Sequence, residues 1–355
     1  MSWVKSVEYV NFSTVLASGS EPLTKGQIPE NCFPLWTKRQ ATSEASLDEH
    51  LIDWYFSAGP VLNWDSHIRT GLTSREHRNY VIEVDPTKAE VKTYTWNMTF
   101  GTSFVDIPIS SIGSISSAFV VLTEKADDSN VSAMADTACK IEFTSITNVR
   151  LTRNNSSSSI SGHIFVVRAL SGQFTVQHLD ADTSGTSTDI TISPVTISNA
   201  WSIYSCSSNI STLSLNGYQV ARITTSTNVN IFSYGNVIAD GRLQIIEDSD
   251  TFVQSDAPVI PSGTVSLFVP ISAIDRTRSC VWLCWTYQTI SRGSCNTTGT
   301  ATGAHDLHSY LFNDTTVYGR ITTSPADYRW DFYVIQFVLS VPSVTVAKPS
   351  LLLAI

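Results

Sequence analysis

The chain has 355 residues, of which 42% are hydrophobic and 15% charged, and its formal net charge is −9 at pH 7. This length allows two or more domains, and the composition is that of a globular protein rather than of a coiled coil or a disordered chain. The sequence has no Lys/Arg-rich segment, no uninterrupted run of about 18 to 20 apolar residues and no signal-peptide pattern at its N-terminus. We therefore expect neither nucleic-acid binding, membrane insertion nor Sec-type secretion.

Residues 1–90 contain four apolar segments that match segments near the other end of the chain. They are YVNFSTV (9–15) opposite FVPISAI (268–274), PLWT (34–37) opposite LCWT (283–286), HLIDWYF (50–56) opposite HDLHSYLF (305–312), and NYVIEV (79–84) opposite FYVIQF (332–337). Only residues 43–56 have a composition that could form a helix, and their match to a strand-like segment argues against one. These residues are therefore predicted to form a diverged copy of a unit that recurs later.

Three further copies are predicted at residues 91–178, 179–255 and 256–338. Each contains three short patterns, in the same order and about 80 residues from the pattern in the next copy. The patterns are IPISSI (107–112), ISPVTI (192–197) and VPISAI (269–274); TNVRL (147–151), TNVNI (227–231) and TTVYG (315–319); and IFVV (164–167), LQII (243–246) and FYVI (332–335). Patterns that recur in order at a nearly constant period indicate a tandem architecture.

Within each unit, apolar residues alternate with polar ones or form short runs rich in Val, Ile, Phe and Tyr, between Gly, Asn, Asp and Ser clusters. These are the signals of strands and turns, and five or more strands in about 80 residues are typical of a small antiparallel β-sandwich. We predict an all-β protein of four tandem sandwiches, arranged as a rod or a compact cluster. Predicted core residues are Ile107, Phe143, Val149 and Val166 in the second unit, Ile192, Trp201, Val229 and Ile245 in the third, and Val269, Trp282, Val317 and Val334 in the fourth.

The segment RSCVWLCWTYQ (278–288) concentrates cysteines and aromatic residues. It occupies the same place in its unit as SSAFVVLTEKA and SNAWSIYSCSS, so it is predicted to be the strand that follows the first turn. The two-residue period of a strand places Cys280, Trp282 and Cys284 on one face and apolar residues on the other. This strand is therefore expected to be covered on both faces, or to contact another chain.

The repeated unit resembles tandem modules of virion proteins of tailed bacteriophages, in which the closing strand often reads like WYVVEF. RWDFYVIQF (329–337) and NYVIEV (79–84) are close to that pattern, whereas GRLQIIED (241–248) has no aromatic residue in it. The layout also resembles the H-type lectin sandwich more weakly.

The resemblance implies a structural or adsorption protein of the virion, such as a capsid decoration, a head or tail fibre, or an accessory tail component. It implies synthesis in the host cytoplasm, partners among the other capsid or tail proteins, and no catalytic residues or cofactor. The alternative that remains open is a lectin-like protein that binds host-surface glycans.

A metal site is a weaker interpretation of the last unit, where Cys280, Cys284, Cys295, His305 and His308 could supply zinc ligands. The C-x3-C spacing on one strand separates the first two sulfur atoms by about 13 Å, too far for one ion. A disulfide between Cys280 and Cys295 is conceivable, but it requires an oxidising compartment. We expect reduced, buried thiols and no metal.

Enzyme motifs are also missing from the sequence. It has no G-x-S-x-G, H-E-x-x-H or G-x-x-x-x-G-K-[ST] motif. A glycan hydrolase would need two positioned carboxyl groups, and Asp53, Asp65, Glu76 and Glu83 are candidates only because they lie in the charged first unit. We therefore predict a protein without enzymatic activity.

Aromatic residues are concentrated in the first and last units, which suggests that these units carry the specific contacts. Exposed Trp and Tyr side chains stack on sugars or anchor protein interfaces, although within strands they more often belong to the core. The candidate contact residues are Trp36, Trp54, Trp64, Trp285 and Tyr287.

Residues 339–355 follow the last closing strand and have no place in the repeat. They include the apolar residues Leu351, Leu352 and Leu353, while Pro342 and Pro349 forbid a regular central strand or helix. We expect an extended arm that buries its apolar end against another subunit, giving a homo-oligomer or a particle-bound protein. The alternative is that the arm folds back on its own chain.

Overall fold

The computed structural model describes residues 2–14, 18–40, 52–57, 59–66, 75–127, 138–208, 219–261, 263–283, 308–320, 328–329 and 331–338. All structural statements below concern this part of the chain. Its regular structure consists of β-strands and a few three-residue 3-10 turns, so the predicted all-β class is confirmed. None of its helical turns has the length and apolar character needed to cross a bilayer.

Four consecutive units share one topology, in which six strand segments can be named A to F in chain order. Segments A, F and C pair side by side in one antiparallel sheet, and segments B, E and D pair in a second. In the second unit, side chains from both sheets form a common core, as expected for a sandwich. The prediction of tandem antiparallel β-sandwiches is therefore confirmed.

The first two units have six separate strands each. In the first unit, A to F are β1 (Val4–Thr14), β2 (Ser18–Pro22), β3 (Cys32–Gln40), β4 (Asp53–Phe56), β5 (Val61–Asp65) and β6 (Arg75–Val84). In the second, they are β7 (Ala89–Met98), β8 (Phe104–Pro108), β9 (Ala118–Ala126), β10 (Lys140–Ser145), β11 (Asn148–Thr152) and β12 (Ile160–Ala169).

The third unit differs in having one long strand that serves as both E and F. Its strands are β13 (Thr175–Asp180), β14 (Thr183–Thr191), β15 (Ala200–Ser208), β16 (Gln219–Thr225) and the long β17 (Asn228–Glu247). The first part of β17 pairs with β14 and β16, and its last part pairs with β13 and β15. One continuous strand therefore crosses from one sheet of the sandwich to the other.

The fourth unit repeats the arrangement and adds a short strand pair. Its A to F strands are β18 (Thr251–Asp256), β20 (Ser266–Pro270), β21 (Ser279–Leu283), β22 (His308–Asn313), β23 (Thr316–Arg320) and β25 (Phe332–Phe337). The added pair is β19 (Val259–Ile260) with β24 (Tyr328–Arg329). In all four units a 3-10 turn leads directly into strand C; these turns are Pro29–Asn31, Ile115–Ser117, Ile197–Asn199 and Arg276–Arg278.

The strand pairing begins each later unit a few residues before the boundary suggested by composition. The first strands of the second, third and fourth units start at Ala89, Thr175 and Thr251, whereas the sequence suggested boundaries near 90, 178 and 255. The polar stretch LDADTSGTST (179–188), which reads as a connector, in fact contains the end of β13 and the start of β14. Many of its side chains are exposed, so its polarity is compatible with strand structure.

The register of the repeats agrees with the sequence matches for the closing strands and corrects three other matches. Ile107 and Ile190 pair with the equivalent Val149 and Val229, so the counterpart of IPISSI is ITISPV (190–195) rather than ISPVTI. PLWT is likewise displaced by two residues, because the pairing makes Phe33 equivalent to Cys280. Residues 9–14 of YVNFSTV belong to strand A, whereas FVPISAI includes the end of strand B, so that match was wrong.

All of the predicted core residues are buried, but they belong to different cores. Those of the second unit lie between its two sheets, as do Ile192, Val229 and Ile245 in the third. Trp201 and Trp282 instead belong to a larger core that contains residues of all four units. The predicted residues of the fourth unit are all part of this shared core.

The shared core joins the outer faces of the four A-F-C sheets, and in the first and fourth units it is continuous with the residues between the two sheets. One residue from each of strands A, F and C pairs across the sheet at the same level in every unit, and each of these residues is buried in the shared core. The sets are Val7, Ile82 and Phe33; Val91, Val167 and Phe119; Val176, Ile246 and Trp201; and Val253, Ile335 and Cys280. Strands F and C are thus covered on both faces, which explains their nearly continuous apolar sequences.

Contacts through strand D join each unit to the next, and the fourth unit joins the first in the same manner. In each case a strand-D residue of one unit is hydrogen-bonded to a strand C or F residue of the following unit. These bonds run from Thr123 Oγ1 to Asp53 Oδ1 (2.5 Å), from Ile141 N to Ser205 Oγ (3.0 Å), from Ile223 N to Tyr333 OH (2.9 Å) and from Leu311 N to Tyr80 OH (3.2 Å). The four units therefore form a closed ring around the shared core rather than a rod.

Candidate functional site

The outward-facing positions of the B-E-D sheets differ sharply among the units. In the fourth unit Phe268 of β20 lies directly opposite Tyr318 of β23, and Tyr310 of β22 lies opposite Tyr318 on its other side. The equivalent position pairs are Asp106 with Arg150 in the second unit and Asp189 with Asn230 in the third. Aromatic side chains thus occupy, in the fourth unit, positions that are charged or polar in the two preceding units.

We call Phe268, Tyr310, Phe312 and Tyr318 the aromatic face. The ring of Phe268 lies 5.1 Å from that of Phe312 and 4.8 Å from that of Tyr318, measured between centroids, and Tyr310 lies 5.3 Å from Tyr318. The planes are inclined by 77°, 50° and 58°, respectively. Phe268 is 52% exposed and Phe312 is 50% exposed, although both are large apolar side chains. A cluster of exposed apolar rings on one surface is characteristic of a binding site.

The aromatic face continues into the interface that closes the ring. Tyr310 stacks with Tyr9 of the first unit at 6.2 Å, and Tyr9 contacts Tyr80 at 5.2 Å. The guanidinium of Arg78 lies 5.3 Å from the centre of the Tyr310 ring, a cation-π distance. The exposed rings are therefore held by a continuous packed series of aromatic side chains that ends in the buried Tyr80.

A cleft of about 450 Å³ lies beside this interface, between the first and fourth units. Its lining includes the charged residues Glu8, Lys25, Arg276 and Asp314. Glu8 accepts hydrogen bonds from the backbone N–H groups of Thr24 and Lys25, while Arg276 donates to the Leu311 carbonyl at 3.0 Å. Burial raises the pKa of the Tyr80 phenol well above its ordinary value, so this hydroxyl stays protonated. The cleft therefore has polar walls of both charge signs.

A second cleft of about 440 Å³ lies between the first and second units, in an equivalent place. Its lining includes Glu30 next to a 3-10 turn, Phe56 at the end of a strand D, and Lys92 on a strand A. The recurrence shows that clefts of this kind follow from the ring architecture. The aromatic face, which is absent from the equivalent positions of the second and third units, is the more distinctive feature.

The sequence-predicted aromatic contact residues have different places in the structure. Trp54 is fully buried and Trp64 is 5% exposed, and both rings pack with Phe12 and His77. These two residues thus have structural packing roles and present no free ring to a ligand. Trp36 lies within β3, while Trp285, Tyr287 and the tail residues Leu351, Leu352 and Leu353 lie outside the described residues.

The candidate carboxyl groups of the first unit are bound to neighbouring side chains. Asp53 and Asp65 face each other on paired strands, but Asp53 accepts hydrogen bonds from Thr123 Oγ1 (2.5 Å) and His163 (2.8 Å), and Asp65 is paired with Lys125. All three of these partners belong to the second unit. Asp53 and Asp65 therefore join the first unit to the second.

The other two candidates lie on strand F, in the other sheet of the first unit. Glu83 is buried and binds Lys5 Nζ at 2.8 Å and Ser6 Oγ at 2.9 Å, which ties strand F to strand A of the first unit. Glu76 lies in β6, where it pairs with Ser13 of β1 and Arg39 of β3. The structure therefore places Glu83 in a cluster of its own, and Glu76 on a strand of the other sheet of the first unit from Asp53 and Asp65.

The cysteines in the described part of the chain are structural. Cys32, Cys139, Cys206 and Cys280 are buried and unbridged, and burial raises the thiol pKa of each above its ordinary value. Within the described residues, no group of three His, Cys, Asp or Glu side chains is placed to hold a metal ion. Of the zinc-ligand candidates, His308 begins β22, and Cys284, Cys295 and His305 lie outside the described residues.

Sequence reasoning missed the aromatic face, although a signal for it was present. In SLFVP, SYLFN and TVYGR, the core residues Val269, Leu311 and Val317 alternate with aromatic residues at the outward positions. Once the repeats are aligned on these core residues, the outward aromatic positions can be compared with their polar equivalents. Comparisons with models of protein families, with curated proteins and with solved structures gave no match to this chain.

Proposed function

We propose that this protein is a non-enzymatic structural component of a bacteriophage virion, such as a capsid decoration, a fibre or an accessory tail protein. The sequence of the repeated unit, which resembles virion modules, supports the virion as its location. The observation that carries a structural rather than a catalytic role is the aromatic face on the fourth unit. It is a firmly held, solvent-exposed apolar surface of the kind that anchors protein interfaces.

The closed ring is consistent with this role because its internal polar groups are used for cohesion. Asp53, Gln244 and Tyr333 each hydrogen-bond to a neighbouring unit from a buried position. Charge pairs such as Lys140 with Asp240 add further links between units. Such an assembly presents an outer surface of stable shape, which suits a structural component of a particle.

Mass spectrometry of purified particles tests the virion assignment directly. We expect the chain at a reproducible copy number, and its absence from particles would remove this proposal. Particles that carry Phe268→Ser and Phe312→Ser should incorporate less of the protein. The matched control is Phe104→Ser, because Phe104 is 50% exposed on β8 of the second unit, away from the aromatic face.

A lectin-like adsorption protein is the second candidate, and the cleft between the first and fourth units is the observation that favours it. Its polar walls of both charge signs adjoin aromatic rings, which suits the mixed polar and apolar surface of a sugar. A glycan array would test this function. Binding should be lost in Asp314→Ala and kept in Lys92→Ala, which changes the equivalent cleft between the first and second units. Equal binding by both variants, or no binding by the intact protein, would reject it.

A further inference from the structure

We propose that in the free protein the C-terminal segment of the chain, residues 339–355, docks on the aromatic face of its own molecule; if the proposed function is right, a particle partner displaces it from that face. The segment begins where the last strand ends, after the exposed Val338. It contains Val341, Val344, Val346 and the closing sequence LLLAI, with Lys348 as its one charged side chain. Contact with water is unfavourable both for an apolar segment and for an exposed apolar surface. Burying one against the other removes apolar area from water and is therefore favourable.

The shape of the aromatic face favours aliphatic side chains over a flat sugar ring. Neighbouring rings are inclined by 77° between Phe268 and Phe312 and by 58° between Tyr310 and Tyr318. Steeply inclined rings leave recesses between them and do not form one flat platform. Branched side chains such as Leu and Val fill recesses of this kind, and phenylalanine has no hydroxyl with which to bind a sugar.

The end of the last strand also lies close to the aromatic face. Gln336 accepts a hydrogen bond from the backbone of Asp275 at 3.0 Å, and the next residue, Arg276, donates to the carbonyl of Leu311 at 3.0 Å. Leu311 lies between Tyr310 and Phe312 in β22. Two side chains and one peptide unit therefore connect Gln336 to the edge of the aromatic face, and with the three residues from Gln336 to the start of the segment the separation is roughly 35 Å at most.

The length of the segment selects its own molecule as the site. Residues 339–355 span up to about 55 Å when extended, more than the roughly 35 Å required, so the apolar end reaches the face without strain. A tethered segment has an effective concentration of the order of millimolar at a site within its reach. The segment of a second molecule would have to compete with this concentration. The sequence left open whether the arm binds another subunit or its own chain, and the reach of the segment favours its own chain.

Photocrosslinking in the full-length protein tests the proposal. Phe312 is replaced by p-benzoylphenylalanine, a ring of similar character that on irradiation inserts into C–H bonds in direct contact. We expect crosslinks to residues 339–355 within one molecule, seen as a product of monomer mass. The matched control places the same residue at Phe104, which is equally exposed on the second unit, and should give no crosslink to the segment.

The outcomes separate the possible occupants of the face. A crosslink to residues 339–355 in a product of dimer mass would mean that a second molecule supplies the segment, and it would overturn docking within one chain. Crosslinks from position 312 only to other parts of the protein, or none at all, would also overturn it. A glycan array that is positive for the unaltered full-length protein and negative for Phe312→Ser would show that the face binds sugars instead.

A reciprocal change checks that the apolar end carries the contact. Replacing Leu351, Leu352 and Leu353 by Ser in the full-length protein should lower the crosslink yield by about tenfold or more, because three buried leucines supply most of the apolar contact. An unchanged yield would contradict the proposal. If the protein with the crosslinker at 312 fails to fold, position 268 serves in its place. None of these readouts depends on whether the protein is found in virions.

Discussion

At the scale of single residues, Asp248 is a carboxyl group that the fold holds away from water. It lies in the connection between the third and fourth units, is buried, and accepts hydrogen bonds from Trp3 Nε1 (2.6 Å) and from the backbone of Asp250 (2.8 Å). Desolvation by burial is the largest cause that raises its pKa, to about 6, although both hydrogen bonds act in the opposite direction. The folded protein therefore favours the protonated form of Asp248 more than the unfolded chain does.

This shift predicts how stability depends on pH. Because the folded-state pKa lies above the unfolded value of 3.8, the contribution of Asp248 is fully present below pH 4 and is lost as the pH rises through 6. In Asp248→Asn the side chain no longer titrates. We expect the wild type to gain up to about 3 kcal/mol of unfolding free energy relative to this variant between pH 7 and pH 4. Urea denaturation at several pH values measures the difference.

Asp106 provides a control of opposite sign. Its exposed carboxylate accepts hydrogen bonds from Arg150 and Asn148, and these bonds lower its pKa. Its stabilising contribution is present at neutral pH and is lost as the pH falls through the lowered folded-state pKa. Stability differences for Asp106→Asn and Asp248→Asn should therefore change in opposite directions on acidification. A difference for Asp248→Asn that does not vary with pH would contradict the assignment.

At the scale of strands, the sequence could predict the units but not their register. The closing strands were matched correctly because they are apolar on both faces and form a continuous block around Ile82, Val167, Ile246 and Ile335. ISPVTI and PLWT were each displaced by two residues. A displacement of two residues leaves every side chain of a strand on the same face, so an alternating pattern looks the same in either register.

The aromatic face was harder to find because its residues are distinguished only by position. Tyr318 and Arg150 occupy equivalent outward positions, yet composition alone treats a Tyr in a strand as a core residue. Trp54 and Trp64 show the converse, since the concentration of aromatic residues in the first unit suggested them as contacts and the structure buries them. Whether a strand residue is exposed depends on which face of its strand packs against the rest of the protein. Tertiary packing decides this, and the local sequence does not.

Two neighbouring carboxyl groups on paired strands allow a test of the link between the first and second units. Asp53→Ala removes the acceptor for Thr123 and His163 at a buried position, and we expect it to lower the unfolding free energy by about 3–5 kcal/mol. Asp65→Ala removes a partly exposed ion pair with Lys125 and should cost about 1 kcal/mol or less. Denaturant titration compares the two variants. Equal effects would show that Asp53 does not link the units.

At the scale of the whole molecule, Trp3 connects all four units. Its ring packs against Phe33 of the first unit, Phe119 of the second, Phe174 of the third and Phe337 of the fourth, at centroid distances of 4.9 to 6.3 Å. Its indole N–H donates to Asp248 in the connection between the last two units. Closure of the ring thus depends on residues of the first unit that no repeat pattern identifies, which is why the sequence left open a rod or a compact cluster and did not predict a ring.

A closed ring with a shared core should unfold differently from a chain of independent units. In a linear array each unit contacts only its neighbours and can unfold separately, whereas here the loss of one unit exposes the core of the other three. We predict a single calorimetric transition, with a van't Hoff enthalpy close to the calorimetric enthalpy.

Trp3→Ala should lower stability by about 3–5 kcal/mol and split the transition, because it removes the side chain shared by all four units. Trp96→Ala makes the same chemical change within the core of the second unit alone, so it should lower the transition temperature and preserve a single transition. Several transitions in the wild type would show that the units are not coupled through the shared core, and a single transition in Trp3→Ala would show that their coupling does not depend on Trp3.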